Sequence, residues 1–383
     1  MGIAELTRNA VDVLPKGELE KKLALGRPLR VKFGIDVTSP DIHIGRGIPL
    51  QRLRAFQDEG HKAVLIIGDY TTRIGDPSGR SAERPILSDE EIDRNAQLYL
   101  DQAKVILRDD PELLEVRYNG EWLSKLTFAD VVRLTRTLTV ARLLERDDFA
   151  KRFSSQQPIS VSELLYPLMQ AYDSVAVEAD VELGGTDQLY NLLAGREVQA
   201  AYGLAPQVVL TTPLLLSWDG GKMSSSMGNN IPLTAPPEEI FGRTMRIPDS
   251  MLADWWNLVA ERPVPSDDPM QAKLELARLI VARSHGEDGT RTGEEHFTRV
   301  VREGQAPEDV PDRALPAGDP VHLPALLADA FGLSTSEARR LIGQGGVKLD
   351  DETVSELDLP RDRLAGAVLQ AGKRRFVRLK EAV

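Results

Sequence analysis

Two short runs hold residue types suited to polyphosphate chemistry. The first, Gly34-Ile35-Asp36-Val37-Thr38-Ser39-Pro40-Asp41-Ile42-His43-Ile44-Gly45-Arg46, follows a strand-like segment and leads into a helical one. At such a corner, unpaired backbone N–H groups and the partial positive charge of a helix start favour phosphate, and glycines such as Gly34 and Gly45 let it come close. Thr38 and His43 add donors. Taken alone, His43 also reads as a capping or packing histidine of a turn. The second run, Gly221-Lys222-Met223-Ser224-Ser225-Ser226-Met227-Gly228-Asn229, is a glycine-flanked lysine and serine loop. It can close over a polyphosphate and place positive charge where negative charge develops. A third group, Tyr166, Gln170 and Asp173, recurs at spacings of four and three in an otherwise apolar helical stretch, so the three share a helix face. A buried polar stripe of that kind needs a ligand or partners.

The elements that must position these groups follow from hydrophobic patterning. Leu29-Arg30-Val31-Lys32-Phe33 alternates like a strand, and Ala63-Val64-Leu65-Ile66-Ile67 is a short apolar run suited to a strand buried on both faces. Between them Ile48 to Glu59 is predicted as a helix ending at Gly60, which completes a βαβ unit of a doubly wound parallel sheet. Helical patterns are expected from Asp89 to Asp173, then a strand from Ala176 to Glu182 running into Gly184-Gly185. A further helix is expected over Met270 to Val281, with Gly286 beyond its end. Pro307, Pro311, Pro316 and Pro320 mark a linker.

The 383 residues, 42% hydrophobic and 28% charged, suit a globular protein of two or three domains. The absence of cysteine excludes disulfides and thiol nucleophiles, and five scattered histidines give no metal-ligand spacing, so no protein-held metal is expected. No apolar run reaches transmembrane length and the first residues form no signal or transit peptide, so a cytoplasmic protein without membrane contact is expected. A net charge of −12 argues against a protein that coats nucleic acid generally. From Ser336 onward, however, 10 basic and 8 acidic residues stand against 37 and 51 in the rest. On charge alone that tail is a solvated face as readily as an RNA contact.

The first two runs together resemble the HIGH and KMSKS signatures of the class I aminoacyl-tRNA synthetases. Ile74-Gly75-Asp76-Pro77-Ser78-Gly79-Arg80, Tyr166-Pro167-Leu168-Met169-Gln170-Ala171-Tyr172-Asp173 and Gly184-Gly185-Thr186-Asp187-Gln188 look like motifs of its tyrosine-specific members, chiefly the bacterial ones. The resemblance covers nearly the whole chain. It implies an α/β fold with a Rossmann-type catalytic domain over 1–230, including a helical dimerisation insert at about 90–165. A linker and α-helical anticodon-binding domain over 231–305, a Pro-rich linker over 306–322 and a small α+β RNA-binding domain over 323–383 would follow.

The same resemblance implies tyrosine activation by ATP, with magnesium carried by the nucleotide, and then transfer to a tRNA specific for tyrosine. Asp173 would accept the substrate phenol, with Lys32 nearby, while Tyr166, Gln170 and Asp76 would surround its ammonium. Asp36, Asp187 and Gln188 would hold the ribose and the adenylate carbonyl region, and Gly185 would let the nucleoside lie on the backbone. Gly34, Gly45 and Met223 complete the ATP site. Thr38, His43, Lys222, Ser224 and Ser225 would attend the phosphates, with Arg80 and Arg84 as further candidates. Attack by an ionised carboxylate needs positioning and charge stabilisation more than proton transfer.

Two positions depart from the signatures. Arg46 replaces the second histidine of HIGH, and Ser225 the second lysine of KMSKS. Arg46 lies three residues after His43, where its guanidinium is expected to reach the phosphates, but Pro49 would disturb a helix already begun at Ile44. The altered signatures leave a second reading open, a duplicated synthetase activating tyrosine for a non-translational purpose. In the terminal segment, Arg339, Arg340, Lys348, Lys373, Arg374 and Arg375 are the candidate RNA contacts, because the segment resembles a small domain of ribosomal proteins and bacterial tyrosyl enzymes. The resemblance also implies a homodimer joined through the insert.

Overall fold

The computed structural model describes residues 2–76, 87–302, 310–372 and 375–381. These form two compact units: one comprises residues 1–235 and 246–276, the other 236–245 and 277–383. The expected anticodon-binding segment 231–305 is thus divided between them.

The first unit is built on a six-stranded sheet. Its strands are β1 (Asp12–Leu14), β2 (Arg30–Ile35), β3 (Lys62–Ile67), β4 (Leu114–Tyr118), β5 (Val181–Gly185) and β6 (Val208–Thr212). They lie in the order β1-β6-β5-β2-β3-β4, with only the edge strand β1 antiparallel to its neighbour. Helix α1 (Ile44–Asp58) connects β2 to β3, and α2 (Asp89–Ile106) precedes β4. Val31 and Leu65 on the strands, Leu50 and Phe56 on α1, and Ile92 and Tyr99 on α2 share one buried core. This is the doubly wound α/β fold that the βαβ pattern predicts.

Several expected boundaries shift. Helix α1 begins at Ile44 rather than Ile48 and carries Pro49 within it. The missing Pro49 N–H costs a bond to Gly45, but the His43 cap and burial of Ile44, Ile48, Leu50 and Leu53 outweigh it. The stretch predicted as helical from Asp89 onward contains β4, and α2 packs in the sheet's core, so the insert starts only after β4. It consists mainly of α3 (Phe128–Thr135), α4 (Val140–Leu143), α5 (Asp147–Ser154) and α6 (Val161–Ala176). Because α6 runs to Ala176 and Glu178 turns the chain at φ 49, the strand expected from Ala176 starts only at Val181. Helix α7 (Leu189–Ala201) then leads to β6.

In the second unit, α8 (Pro237–Thr244) precedes the later part of α9 (Pro269–Phe297), which bends at Gly286 with φ 65 and ψ −166. The end expected at Gly286 is therefore a kink. The stretch 306–322 is not a bare linker: its described part carries β7 (Asp312–Ala314) and β8 (Val321–His322), and β7 pairs in parallel with the final strand, Arg375–Lys380. That five-stranded sheet and helices α10 (Leu323–Phe331) and α11 (Thr335–Gly343) enclose a core of Leu323, Leu327, Ile342, Leu369 and Leu379.

Candidate active site

The expected polar face of α6 lies against the carboxyl ends of the central strands and is largely buried. Asp173 is 3% exposed. Its Oδ1 accepts Trp122 Nε1–H at 2.8 Å, and its Oδ2 accepts Asn119 Nδ2–H at 3.3 Å. Burial nevertheless pushes its carboxyl up to about 7, against the opposing effects of Lys32 and these two donors. An acceptor so poorly compensated gains strongly from one more donor.

Tyr166 donates its hydroxyl to Asp36 Oδ2 at 2.9 Å, and Thr71 donates to Asp36 Oδ1 at 2.7 Å. Burial, with Asp36, Asp76 and Asp173 around it, holds the Tyr166 phenol well above its usual range, so it is a neutral donor. The residue expected at the ammonium and the one expected at the ribose thus share one wall. Asp76 Oδ2 accepts Gln188 Nε2–H at 2.7 Å. Asn191 Nδ2 bridges Gln170 Oε1 at 3.0 Å and Gln188 Oε1 at 3.1 Å. Asp76, Gln188, Asn191 and Gln170 therefore form one hydrogen-bonded chain, and Tyr166 and Asp173 belong to a second that runs through Asp36, Thr71 and Asn119.

Lys32 needs correction. It is fully buried and pairs with Glu182 at 2.8 Å, its neighbour in register across β2 and β5. The same ammonium donates to Ser174 Oγ at 2.8 Å and to the Gln170 carbonyl at 2.9 Å. Its three hydrogens are committed to the protein, so Lys32 braces α6 instead of donating to a phenol. Gln207 also donates to Glu182, and a Cβ on Gly195 would meet Glu182 Oε2 at 3.1 Å and Ser174 Oγ at 3.3 Å, so glycine makes room for this cluster.

The phosphate candidates converge from distant stretches of sequence. His43 caps α1, its Nδ1 accepting the Arg46 N–H at 3.3 Å, which leaves Nε2 as the protonated donor. Burial, with the charges of Arg46 and Lys222 nearby, pushes its imidazole down to about 3, so it is neutral at physiological pH. Both readings of His43, cap and donor, are compatible. Arg46 donates to the Asp41 carbonyl at 3.4 Å. The loop before α1 is braced by α2: Asn95 donates to the Val37 carbonyl at 3.0 Å, and Gln102 both accepts the Ile42 N–H at 2.8 Å and donates to the Pro40 carbonyl at 2.9 Å. Thr38 is half-buried on this loop, and the space beside Gly34 is open: a Cβ there would meet nothing within 4 Å.

The second loop is clasped by Asn229, which accepts the Ser224 N–H at 2.9 Å and donates to Asp219 Oδ2 at 2.9 Å. Ser225 accepts from Asn230 at 3.2 Å, and Met223 is buried. The Ile44 N–H donates to the Ile231 carbonyl at 3.0 Å, tying the end of this loop to the start of α1. Lys222 pairs with Asp187 at 2.5 Å while remaining 57% exposed. An exposed pair of that kind is worth at most about 1 kcal/mol, so an incoming phosphate can take the lysine from it. A Cβ on Gly185 would meet Asp187 Oδ1 at 2.7 Å and Leu214 Cδ2 at 2.9 Å, so a larger residue there would have to displace both side chains.

Arg80 and Arg84 lie outside the described residues, as do Lys373 and Arg374. Arg339, Arg340 and Arg375 are exposed on the second unit and Lys348 is half-buried there. Arg339 reaches His322 Nε2 at 3.3 Å. Among the described residues no group of three or more acidic, histidine or cysteine side chains is arranged to hold a metal.

Thr71, Asn119 and Trp122 bond to the Asp36 and Asp173 side, and Arg146, Ser174, Glu182 and Asn191 to the Asp76, Gln170 and Lys32 side, without having been expected. One signal was available for Glu182: an acidic residue in an otherwise apolar strand, opposite a lysine in another.

A family model described as tRNA synthetases class I (W and Y) matches residues 24–300. The tyrosine–tRNA ligase of Moorella thermoacetica is 47% identical over 392 residues, covering 98% of this chain and 94% of its own. That of Thermotoga maritima is 45% identical over 388 residues, covering 98% and 96%. Among solved structures, a C-terminally truncated mitochondrial tyrosyl-tRNA synthetase of Aspergillus nidulans matches with a TM-score of 0.63 at 22% identity, over 77% of this chain and 92% of that one. A tyrosyl-tRNA synthetase of Archaeoglobus fulgidus complexed with L-tyrosine matches at 0.61 and 24% identity, over 76% and 98%. At these identities the structural likeness concerns the fold.

Proposed function

The chain belongs to the class I tRNA synthetases of the tryptophan and tyrosine type, and on that premise we propose how its residues join tyrosine to tRNA. It is an aminoacyl-tRNA synthetase acting as a tyrosine–tRNA ligase. Tyrosine enters with its phenol donating to Asp173 and its ammonium facing Asp76, Tyr166 and Gln170. The observation that carries this reading is the buried Asp173 carboxylate, which its protein donors leave well above the ordinary carboxylate range. Phenylalanine in the same place would strand that carboxylate without a new partner, a cost the protein imposes only on the wrong substrate.

ATP is the co-substrate, with magnesium travelling on its phosphates. The tyrosine carboxylate, ionised at neutral pH, attacks the α-phosphate and pyrophosphate leaves. A hydroxyl of the tRNA's terminal adenosine then attacks the adenylate carbonyl and AMP leaves. His43 contributes a neutral Nε2–H donor, Lys222 exchanges Asp187 for phosphate, and Arg46 adds charge at the first turn of α1. Positioning and charge stabilisation supply the rate. Asp36, Asp187 and Gln188 attend the ribose and carbonyl, beside Gly34, Gly45, Gly185 and Met223.

The same reading includes a homodimer, supported by apolar side chains that the insert leaves exposed, among them Phe128 at 83%, Val161 at 73% and Phe153 at 64%. It places the second unit's Arg339, Arg340, Lys348 and Arg375 against tRNA, and the protein in the cytoplasm with the tRNA it charges. Aminoacylation of tyrosine tRNA, measured in parallel with tyrosine-dependent ATP–pyrophosphate exchange, tests this. Both activities are expected; exchange without charging would instead mark an enzyme that activates tyrosine for another purpose.

A further inference from the structure

The segment between β2 and α1 lies outside both elements, and side chains of α2 take up its backbone groups. Asn95 and Gln102 stand seven residues apart, two helical turns, on the buried face of α2. Asn95 holds the Val37 carbonyl, whose residue's own N–H donates to Thr72 Oγ1 at 3.0 Å. Gln102 is 8% exposed. Its Oε1 accepts the Ile42 N–H at 2.8 Å, and its Nε2 donates to the Pro40 carbonyl at 2.9 Å and to the Leu98 carbonyl of its own helix at 3.0 Å. Both amide hydrogens and the amide oxygen are thus committed, and the clamp straddles Asp41. On the other side, the Ile42 carbonyl accepts the Leu233 N–H at 2.9 Å and the Ile44 N–H donates to the Ile231 carbonyl at 3.0 Å. Between them His43 makes an isolated antiparallel bridge with Pro232. The backbone that carries His43 is therefore pinned by residues 231–233 on one flank and by the Gln102 side chain on the other.

We propose that Gln102 is a positioning residue for the phosphate step: by fixing the backbone from Pro40 to Ile42, it aims the His43 imidazole at the arriving phosphate. The inference rests on the reading of His43 as a phosphate donor. With Nδ1 occupied by the Arg46 N–H, the ring can donate only through Nε2, so the direction of that donor is set by where the His43 backbone stands. A donor displaced by about 1 Å loses much of its hydrogen bond, and reaction rates respond steeply to such displacements. A methionine would fill much the same volume as Gln102 without burying an amide, so packing alone does not call for glutamine here. The three bonds of Gln102 go to Pro40, Ile42 and Leu98, none of them read as holding tyrosine. Its influence belongs to rate, not to recognition of the amino acid.

The test uses the full chain, with tyrosine affinity and the kcat of tyrosine-dependent ATP–pyrophosphate exchange measured on each variant. Gln102→Met should lower kcat by about tenfold, as expected from weakening one charge-assisted hydrogen bond, and leave tyrosine affinity within about twofold of the parent. Gln102→Glu, which keeps the length and the acceptor for the Ile42 N–H, should lose less than Gln102→Met and keeps the test open if the methionine variant does not fold. A role through His43 also requires coupling between the two positions. In a His43→Ala background, Gln102→Met should slow exchange by less than about threefold further. An unchanged kcat in both Gln102 variants, a tyrosine affinity that falls as far as kcat, or a full tenfold further loss in the His43→Ala background overturns the proposal. His43→Ala alone separates it from the underlying reading. If that variant exchanges at the parent rate, the assignment of His43 falls; if it is slowed and the Gln102 variants are not, only the role of Gln102 falls.

Discussion

The proposed amino-acid pocket and the proposed phosphate site occupy the same ends of the same sheet, yet they are held on different physical terms. The pocket is fixed by side chains from many elements: Lys32 on β2, Asp173 on α6, Glu182 on β5, Asn191 on α7, and Arg146 from the insert, all buried and each hydrogen-bonded or ion-paired to another side chain. The phosphate site is carried by two loops whose cations are at least partly exposed, with Lys222 resting on Asp187. Selectivity for an uncharged phenol needs a shape and a hydrogen bond that exist before the substrate arrives. Charge on a transferring phosphate develops during reaction, and a loop cation can follow it.

The sharpest way to break this contrast is to remove a buried charge from the pocket. Lys32→Met leaves Glu182 without its counter-ion and should destabilise the fold by about 3–5 kcal/mol, read as a drop in the denaturation midpoint. Adding Glu182→Leu should recover most of that loss; if the single and double variants are equally unstable, the pair is not what braces α6.

Asp173 gives a second, pH-dependent effect. Its carboxyl stands at about 7 when folded, well above an unfolded aspartate, so the folded state binds the extra proton between those values. Its favourable contribution is complete below the unfolded value and is lost as pH rises through about 7, a loss on the order of 4 kcal/mol. Asp173→Asn should therefore flatten that part of the stability profile. Tyrosine affinity in the parent protein should rise with pH toward 7 and then level off, since the ionised carboxylate is the better acceptor; an affinity flat from pH 5.5 to 8 would contradict the assignment.

Changes in the phosphate site should be smaller and confined to rate. Losing one charged phosphate contact costs about 1.5–3 kcal/mol, so Lys222→Ala should slow pyrophosphate exchange by roughly ten- to a hundredfold. Arg46→Ala should slow it by less, about three- to tenfold, because Arg46 is already engaged with the Asp41 carbonyl. An unchanged rate in the Arg46 variant would show that Arg46 does not substitute for the signature's second histidine. Because burial and nearby cations keep His43 neutral down to about 3, neither activity should show an inflection from its titration near pH 6.5.

What the sequence discloses follows the same division. His43, Lys222 and the Tyr166–Gln170–Asp173 face are legible because their information is local: a turn, a loop, and one helix period. The partners Glu182, Asn119, Trp122 and Arg146 are not, because their roles depend on which strands become neighbours. Lys32 reads as a ligand until β2 is laid beside β5 and Glu182 comes into register. Pro49 misleads about the start of α1 because local cost is outweighed by burial of the helix face. The prolines near 306–322 mislead in the opposite sense: β7 forms there only because the chain's last strand offers it a partner. The βαβ core, by contrast, is written in short apolar runs whose period needs no distant partner.

The most direct test of the division is to measure tyrosine affinity by calorimetry and tyrosine-dependent pyrophosphate exchange on one preparation of Lys222→Ala. The structure predicts an affinity within about twofold of the parent protein and an exchange rate lower by at least about tenfold. An affinity that falls in step with the rate would contradict it, because recognition and activation would then depend on the same loop.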